Sequence, residues 1–216
     1  MRLLLPSCVA ELTPTQAKRL FGNEPRNSIA CGTRGCAYQV GNHVVKITDD
    51  VDDAVALKRA QGLKHVATVQ RVYKLPGAGK RYGREVDLYA IVMERMPKHM
   101  AMKQYSWLDE VWFDTELRQT AEASNLKGKP FVLPRASVAT SLTTCKGDRA
   151  CVTAKREFAL TIEELFKRGI QWVDFGQSNI MVDKDGTWKI VDLGHSDVKG
   201  GEQLPTLTGA YVRRRK

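Results

Sequence analysis

The segment that decides the interpretation of this chain is Asp174-Phe-Gly-Gln-Ser-Asn-Ile-Met-Val-Asp-Lys-Asp-Gly-Thr-Trp-Lys-Ile-Val-Asp-Leu-Gly194. Its Asp185-Gly186 pair lies between two apolar runs, which is typical of a two-residue type I′ turn in a β-hairpin. Such a turn fixes the register and makes Asn179 and Asp192 direct cross-strand neighbours. An amide oxygen beside a carboxylate is a donor pair suited to Mg²⁺. The alternative is an ordinary hairpin whose polar ends face water.

A second hairpin is predicted around Gly41-Asn42, which separates two short apolar runs rich in β-formers. This turn pairs Ala37 with Lys46, and the alternation of a strand places Val44 on the same face. The expected result is an apolar surface beside one ammonium group. A lone lysine on a strand is usually solvated, so a ligand role needs further support.

The rest of the chain predicts a strand-rich first half and a helical second half, which is an α+β pattern. The predicted elements are strands over 37–40, 43–47, 66–75 and 87–94, a turn over 76–79, helices over 52–62, 107–117 and 152–166, and a long loop over 124–150. Gly169 is expected to end the last helix.

The composition is that of a globular chain with an excess of positive charge. Its 216 residues carry 34 Lys and Arg against 24 Asp and Glu, a net charge of +10. Such a field attracts polyanions, among them nucleotides, nucleic acid and acidic protein surfaces. The basic end over 213–216 is expected to be a solvated terminus.

The five cysteines and the N-terminal segment favour a cytoplasmic protein. Neither Cys31 with Cys36 nor Cys145 with Cys151 has a common zinc spacing, so free thiols in a reducing compartment are expected. Pro6 ends the run of leucines at the start of the sequence, and this run is too short for a signal-peptide core. No apolar run reaches the ~20 residues that a membrane helix needs, and no membrane partner is expected.

The spacing of three motifs resembles that of protein kinases. Asp174 precedes Asn179 by five positions, and Asp192-Leu-Gly194 follows, as in the kinase catalytic loop and metal-binding motif. The resemblance is to the protein-kinase-like superfamily and covers about residues 29–194. It implies a bilobal fold, with an N-terminal nucleotide-binding lobe over 1–96 and a shortened helical catalytic lobe over 97–216.

The first half of the chain carries further parts of that resemblance. Gly32-Thr-Arg-Gly35 resembles the glycine-rich loop, with Ala30 in place of its first glycine. Lys46 matches the lysine that contacts the α- and β-phosphates. The remaining nucleotide-contacting positions that the resemblance implies are Ala37 and Val44 around adenine, Met93 as gatekeeper, and Glu94 and Met96 at the hinge.

The chain also departs from the family pattern. Ala56 stands where the helix glutamate should pair with Lys46, and Asp53, one turn earlier, is the candidate substitute. Gly176 replaces the catalytic-loop lysine, and Trp172-Val173 replaces the usual His-Arg. After Gly194 the sequence carries no Ala-Pro-Glu motif, so peptide substrates must be handled differently.

The function expected from this resemblance is that of a compact Mg-ATP-dependent Ser/Thr protein kinase. The loop sequence from Asp174 to Met181 most resembles that of the protein kinases of T7-like bacteriophages. This resemblance implies a protein that acts on host proteins in the host cytoplasm. Asp174 would accept the substrate proton, Lys46 would anchor phosphates, and Asn179 and Asp192 would hold Mg²⁺. One alternative is a small-molecule kinase, and residues 98–150 are expected to shape the substrate site in either kind of kinase. Another is a pseudokinase-like protein that binds a host protein or nucleic acid through its basic surface.

Overall fold

A computed structural model describes residues 12–23, 28–113 and 142–207 of the chain. Within these residues the protein is a mixed α+β structure with four α-helices and a five-stranded antiparallel sheet. The described residues fall into two compact units. The first contains residues up to 58, 68–95 and 202–207, and the second contains residues 59–67 and 96–201.

The first unit is built around the five-stranded sheet. Its elements in chain order are α1 (Pro14–Phe21), β1 (Ser28–Cys31), β2 (Gly35–Val40), β3 (His43–Thr48), α2 (Val51–Arg59), β4 (Val69–Arg81) and β5 (Arg84–Glu94). The strand order is β1-β2-β3-β5-β4, so β3 lies at the centre of the sheet. Arg59 at the end of α2 already belongs to the second unit.

One face of this sheet packs against α1 to form the core of the first unit. The alternating residues of β2 and β3, Tyr38 and Val45 among them, are buried there together with Phe21. A capping box at Thr13 begins α1. The Gln16 side chain donates a hydrogen bond of 2.9 Å to the carbonyl of Leu207. This bond ties the end of the described chain to its beginning.

The register predicted for the β2–β3 hairpin is confirmed. Ala37 pairs with Lys46, and the pairing continues to Val40 and His43. Gly41 has φ 56° and takes the first central position of the turn. A glycine at that position is characteristic of a type II′ turn, whose twist matches that of the strands.

The predicted turn over residues 76–79 is wrong. The chain continues through it as one long strand, β4, and turns at Tyr82-Gly83, where both residues have positive φ as a type I′ turn requires. The glycines and proline instead make an irregularity in the β4–β5 ladder between Leu75 and Gly79. Gly77, at φ 59°, donates its amide to the Asp87 carboxylate at 2.9 Å.

The second unit contains the remaining helices and two small sheets. Its elements are β6 (Lys98–His99), α3 (Met102–Trp112), α4 (Arg149–Lys167), β7 (Ile170–Gln171), a 3₁₀ turn (Gln177–Asn179), β8 (Ile180–Val182), β9 (Trp188–Ile190) and β10 (Asp197–Val198). β6, β8 and β9 form one sheet, and β7 pairs with β10.

The helices of the second unit largely follow the predicted periodicity. Asp148 caps α4 by accepting the amides of Ala150 and Cys151, and Gly169, at φ 73°, follows the end of that helix as predicted. Most of the predicted loop over 124–150 and the end of the predicted helix over 107–117 lie outside the described residues. The basic end over 213–216 also lies outside them.

The register predicted for the β8–β9 hairpin is wrong by one residue. Ile180 pairs with Ile190, so the loop has three residues, 184–186, instead of two. The Asp183 carboxylate accepts the amides of Asp185 and Thr187, each at 2.9 Å. Gly186, at φ 84°, supplies the left-handed residue that closes a three-residue loop.

The expectation of free thiols is also wrong for four of the five cysteines. Disulfides join Cys31 to Cys36 and Cys145 to Cys151, with Cα atoms 4.1 and 5.6 Å apart. Cys31 and Cys36 lie opposite each other across β1 and β2, a proximity that residue spacing alone did not indicate. Cys8 lies outside the described residues.

Among the helices of the described chain, none is long and apolar enough to cross a membrane.

Candidate functional site

Lys46 is the predicted phosphate-binding residue of the first unit, and its ammonium is held by a carboxylate. Its Nζ lies 2.7 Å from Oδ2 of Asp53 on α2. The Asp53 side chain is 1% exposed and that of Lys46 is 16% exposed. Because a buried carboxylate needs a compensating charge, the pair fixes the lysine at the centre of the sheet. Asp53, the candidate substitute named from the sequence, is therefore the acidic residue that contacts Lys46, and Ala56 is fully buried.

The start of α2 positions Asp53 through a short chain of hydrogen bonds. The Thr48 hydroxyl accepts the amide of Asp50 at 3.0 Å. The Asp50 carboxylate then accepts the amides of Asp52 and Asp53, which caps the first turn of the helix. The strand that carries Lys46 therefore connects directly to the turn that carries its partner.

The segment that resembles a glycine-rich loop is the turn between β1 and β2. The amide of Gly32 donates to the carbonyl of Gly35 at 2.8 Å. A Cβ at Gly35 would lie 2.1 Å from the Ile47 carbonyl oxygen, so only glycine fits there. Arg34 forms ion pairs with Asp49 and Asp50, each at 3.0 Å, and these anchor the turn to the end of β3.

The other predicted nucleotide-contacting residues of the first unit lie on neighbouring strands. Ala37, opposite Lys46, and Val44, which precedes it by two, share one face and are partly exposed, while the alternate residues face the core. Met93 pairs with Val44 and is buried. Glu94 accepts the Thr68 amide through its carboxylate at 2.6 Å, which orders the end of β5.

The remaining predicted residues, two turn glycines and one hinge methionine, differ in how far they are buried. Gly32 is exposed and has open space around it, whereas Gly35 is confined. Met96, the predicted hinge residue that follows Glu94, is buried and belongs to the second unit.

Asp174 and Asn179 are brought together in the second unit. The Asn179 amide donates to the backbone carbonyl of Asp174 at 2.7 Å and to its carboxylate at 3.4 Å. Asn179 is buried and ends the 3₁₀ turn, whereas Asp174 is exposed. The asparagine therefore fixes the loop that carries the exposed Asp174.

An aromatic cluster beneath this loop holds the residue that follows Asp174. The ring of Phe175 stacks on Tyr105 and Trp112 of α3, with centroids 5.2 Å away in each case. Phe158 of α4 and Trp172 complete the cluster at 5.4 and 5.7 Å. Such aromatic contacts contribute about 0.5–1.5 kcal/mol per pair beyond burial. The sequence showed only the helical spacing of Trp112 and Phe158, not their convergence on Phe175.

Asp192 lies just beyond the end of β9. The Val191 amide donates to the Asn179 carbonyl at 2.9 Å, so Asp192 follows the cross-strand neighbour of Asn179 instead of facing Asn179 directly. Its carboxylate accepts the Gly194 amide at 2.8 Å. The Asn179 amide nitrogen is directed toward Asp174, and its amide oxygen accepts the Ser178 hydroxyl at 3.2 Å.

The donor types of Asn179 and Asp192 fit a hard cation. Both offer oxygen, and Mg²⁺ is held in proteins through one or two carboxylates with few other protein ligands. In the described part of the chain no three His, Cys, Asp or Glu residues cluster as a metal site.

His65 is a structural residue of this region that sequence reasoning missed. Its ring stacks on Trp188 at 3.8 Å, and its Nδ1 lies 2.9 Å from the Trp188 carbonyl oxygen. Burial lowers the pKa of the imidazole, while the Trp188 carbonyl and the Glu157 carboxylate act in the opposite direction. The carbonyl of His65 also accepts the Ile190 amide, so the residue anchors β9.

Comparison of the chain with family models and with curated protein sequences gives no match.

Proposed function

We propose that this chain is a Mg-ATP-dependent phosphotransferase, a compact Ser/Thr protein kinase with a bilobal kinase-like fold. The observation that carries the proposal is the ion pair of Lys46 with Asp53. The kinase resemblance requires an acidic partner for this lysine from the following helix, yet Ala56 occupies the usual position. A carboxylate one turn earlier makes the contact, as that resemblance requires.

Each charged residue then has one role in phosphoryl transfer. Lys46 contacts the α- and β-phosphates, and Asp53 keeps its ammonium oriented. Asp174 orients the substrate hydroxyl and accepts its proton, and Asn179 holds the backbone that carries Asp174. Because phosphoryl transfer depends on positioning and charge neutralisation, the fixed contacts of these side chains favour this chemistry.

Asn179 and Asp192 are the residues that would hold Mg²⁺, through an amide oxygen and a carboxylate. The ion, when bound, neutralises charge on the phosphates. Gly32 and Gly35 lie in the turn that approaches the phosphates, Ala37 and Val44 line the adenine face, and Met93, Glu94 and Met96 contribute the hinge.

The proposal is tested with Asp174→Asn and a matched control, Asp185→Asn, an exposed carboxylate of the β8–β9 loop. Wild type and both variants are incubated with γ-labelled ATP, Mg²⁺ and a bacterial lysate, and nucleotide affinity is titrated separately. Asp174→Asn should lower transfer by roughly a hundredfold or more, the scale of a positioned acid–base group, while affinity for Mg-ATP stays within a few-fold. Asp185→Asn should behave as wild type.

The acceptor class is read from the same reaction. Label in acid-precipitated protein, located on Ser and Thr, supports a protein kinase, whereas label confined to the soluble fraction indicates a small-molecule kinase. Absence of transfer by the wild type would reject the enzyme proposal in favour of a binding protein. Equal transfer by wild type and Asp174→Asn would remove that residue from the mechanism.

A further inference from the structure

The two disulfides close rings of nearly equal size but differ in exposure. Their cysteines are separated by five and six positions, so ring size does not distinguish them. Cys31 is exposed, whereas its partner Cys36 is 2% exposed. Cys145 and Cys151 are both buried, at 6% and 2%. The first disulfide therefore has one exposed cysteine, whereas both cysteines of the second are buried.

The settings of the two disulfides strengthen this contrast. Cys31 lies on β1, an edge strand whose four residues are all exposed. Cys151 instead lies in the first turn of α4, and its amide is capped by Asp148. Attack on a disulfide requires access to a sulfur, and exposed disulfides are the labile class.

We propose that Cys31–Cys36 is a thiol–disulfide exchange site for small thiols of the glutathione class, and that Cys145–Cys151 is inert under the same conditions. A thiolate RS⁻ attacks the Cys31 sulfur, the Cys31–Cys36 bond breaks, and Cys36 leaves as a thiolate that takes a proton. A second RS⁻ attacks the added sulfur, releases RSSR and leaves the Cys31 thiolate to be protonated. In sum, two RSH are oxidised to RSSR and the protein gains a dithiol.

Opening this bond loosens the Gly32–Gly35 turn without unfolding it. The disulfide restrains the turn together with the hydrogen bonds from Gly32 to Gly35 and from Asp49 to Arg34, and with the ion pairs of Arg34. With the covalent restraint removed, the amides of this segment should exchange faster. Because Ala37, directly after Cys36, pairs with Lys46, the exchange site lies close to the residue to which the proposed function assigns phosphate binding.

The first experiment measures exchange itself. Full-length protein purified without reductant is equilibrated in glutathione buffers of increasing reducing strength, trapped with N-ethylmaleimide and mapped by peptide mass spectrometry, which also separates Cys8. Cys31 and Cys36 should become alkylated at a ratio of [GSH]² to [GSSG] at least about tenfold lower than Cys145 and Cys151 require. Amide exchange of residues 32–36 should rise at the same ratio.

Two variants identify the attacked sulfur. Cys36→Ser should accumulate a glutathione adduct on Cys31, whereas Cys31→Ser, which leaves only the buried Cys36, should take up little. Opening of both disulfides at one ratio in the wild type, resistance of Cys31–Cys36 to excess glutathione, or an adduct on Cys36 instead of Cys31 would each overturn the proposal. These readouts need no nucleotide, so their outcome is independent of the kinase proposal.

Discussion

The two hairpins that carry residues of the proposed site form different registers, although their turn sequences are similar. β2 and β3 meet at Gly41-Asn42 in the register that their alternation predicts. β8 and β9 meet at a loop containing Asp185-Gly186, an equally strong signal for a two-residue turn, yet their register is displaced by one residue.

The residue before the turn accounts for the difference. Val40, which directly precedes Gly41-Asn42, has no side-chain acceptor. Asp183 accepts two backbone amides across the second loop and stabilises the longer three-residue form. An aspartate two positions before an Asp-Gly pair can therefore change the register of a hairpin.

The functional residues also depend on their hairpins in different ways. Lys46 lies within a central strand and is held by a buried carboxylate. Asp192 lies beyond the paired part of its hairpin and is oriented by the Gly194 amide. Substitutions at the Lys46 ion pair should therefore lower both activity and stability. Substitution of Asp192 should lower activity with little change in stability.

The largest expected effect on activity is that of Asp192→Ala. This variant tests whether activity can be lost while stability is kept. The variant should lose Mg-dependent transfer to below detection, because it removes the charged donor of the proposed magnesium site. Its free energy of unfolding should fall by only about 1 kcal/mol or less, the scale of one hydrogen bond. Thermal melts and a labelled-phosphate assay measure both, with the exposed Asp197→Ala as control. Wild-type transfer by Asp192→Ala would reject the metal assignment.

Asp53→Ala should have an intermediate effect and tests the coupling in the first hairpin. Without the carboxylate, Lys46 loses its orientation, and phosphate transfer should fall more than about tenfold, or about 1.4 kcal/mol in the barrier. The melting temperature should fall as well, because a partly buried ammonium loses its partner. Asp52→Ala, an exposed carboxylate of the same helical turn, is the matched control. If Asp53→Ala and wild type transfer phosphate at equal rates, the ion pair has no catalytic role.

Asp183→Ala should have the smallest effect on activity and tests the origin of the register shift. Loss of two hydrogen bonds to backbone amides should lower the free energy of unfolding by about 1–2 kcal/mol. Asp183→Asn keeps the oxygen acceptor and should recover most of that loss, whereas the exposed Asp185→Ala should change little. Chemical denaturation of the three variants gives the comparison. Equal stability of Asp183→Ala and wild type would show that the Asp183 carboxylate does not stabilise the three-residue loop.

The contacts that were predicted correctly are local in sequence, although the local register of β8 and β9 and the Cys31–Cys36 disulfide were not. Ala37 and Lys46 flank one turn, and Asp53 follows Lys46 by only one strand end and one helical turn, so spacing restricted their positions. The contact of His65 with Trp188 joins residues 123 positions apart. Hydrophobic periodicity cannot predict a contact between residues so distant in sequence. The packing of Phe175 on α3 and α4 could not be predicted for the same reason, because it depends on tertiary contacts between segments distant in sequence.

The bond between Gln16 and Leu207 has a consequence for synthesis of the protein. The two residues are 191 positions apart, and Leu207 belongs to the buried core of the first unit. While the chain emerges from the ribosome, α1 and the five-stranded sheet are complete long before this core residue exists. The second unit must also be translated before the first can close. We therefore expect a nascent chain stalled before residue 207 to remain sensitive to protease in its first unit, although every strand of that unit has already been made.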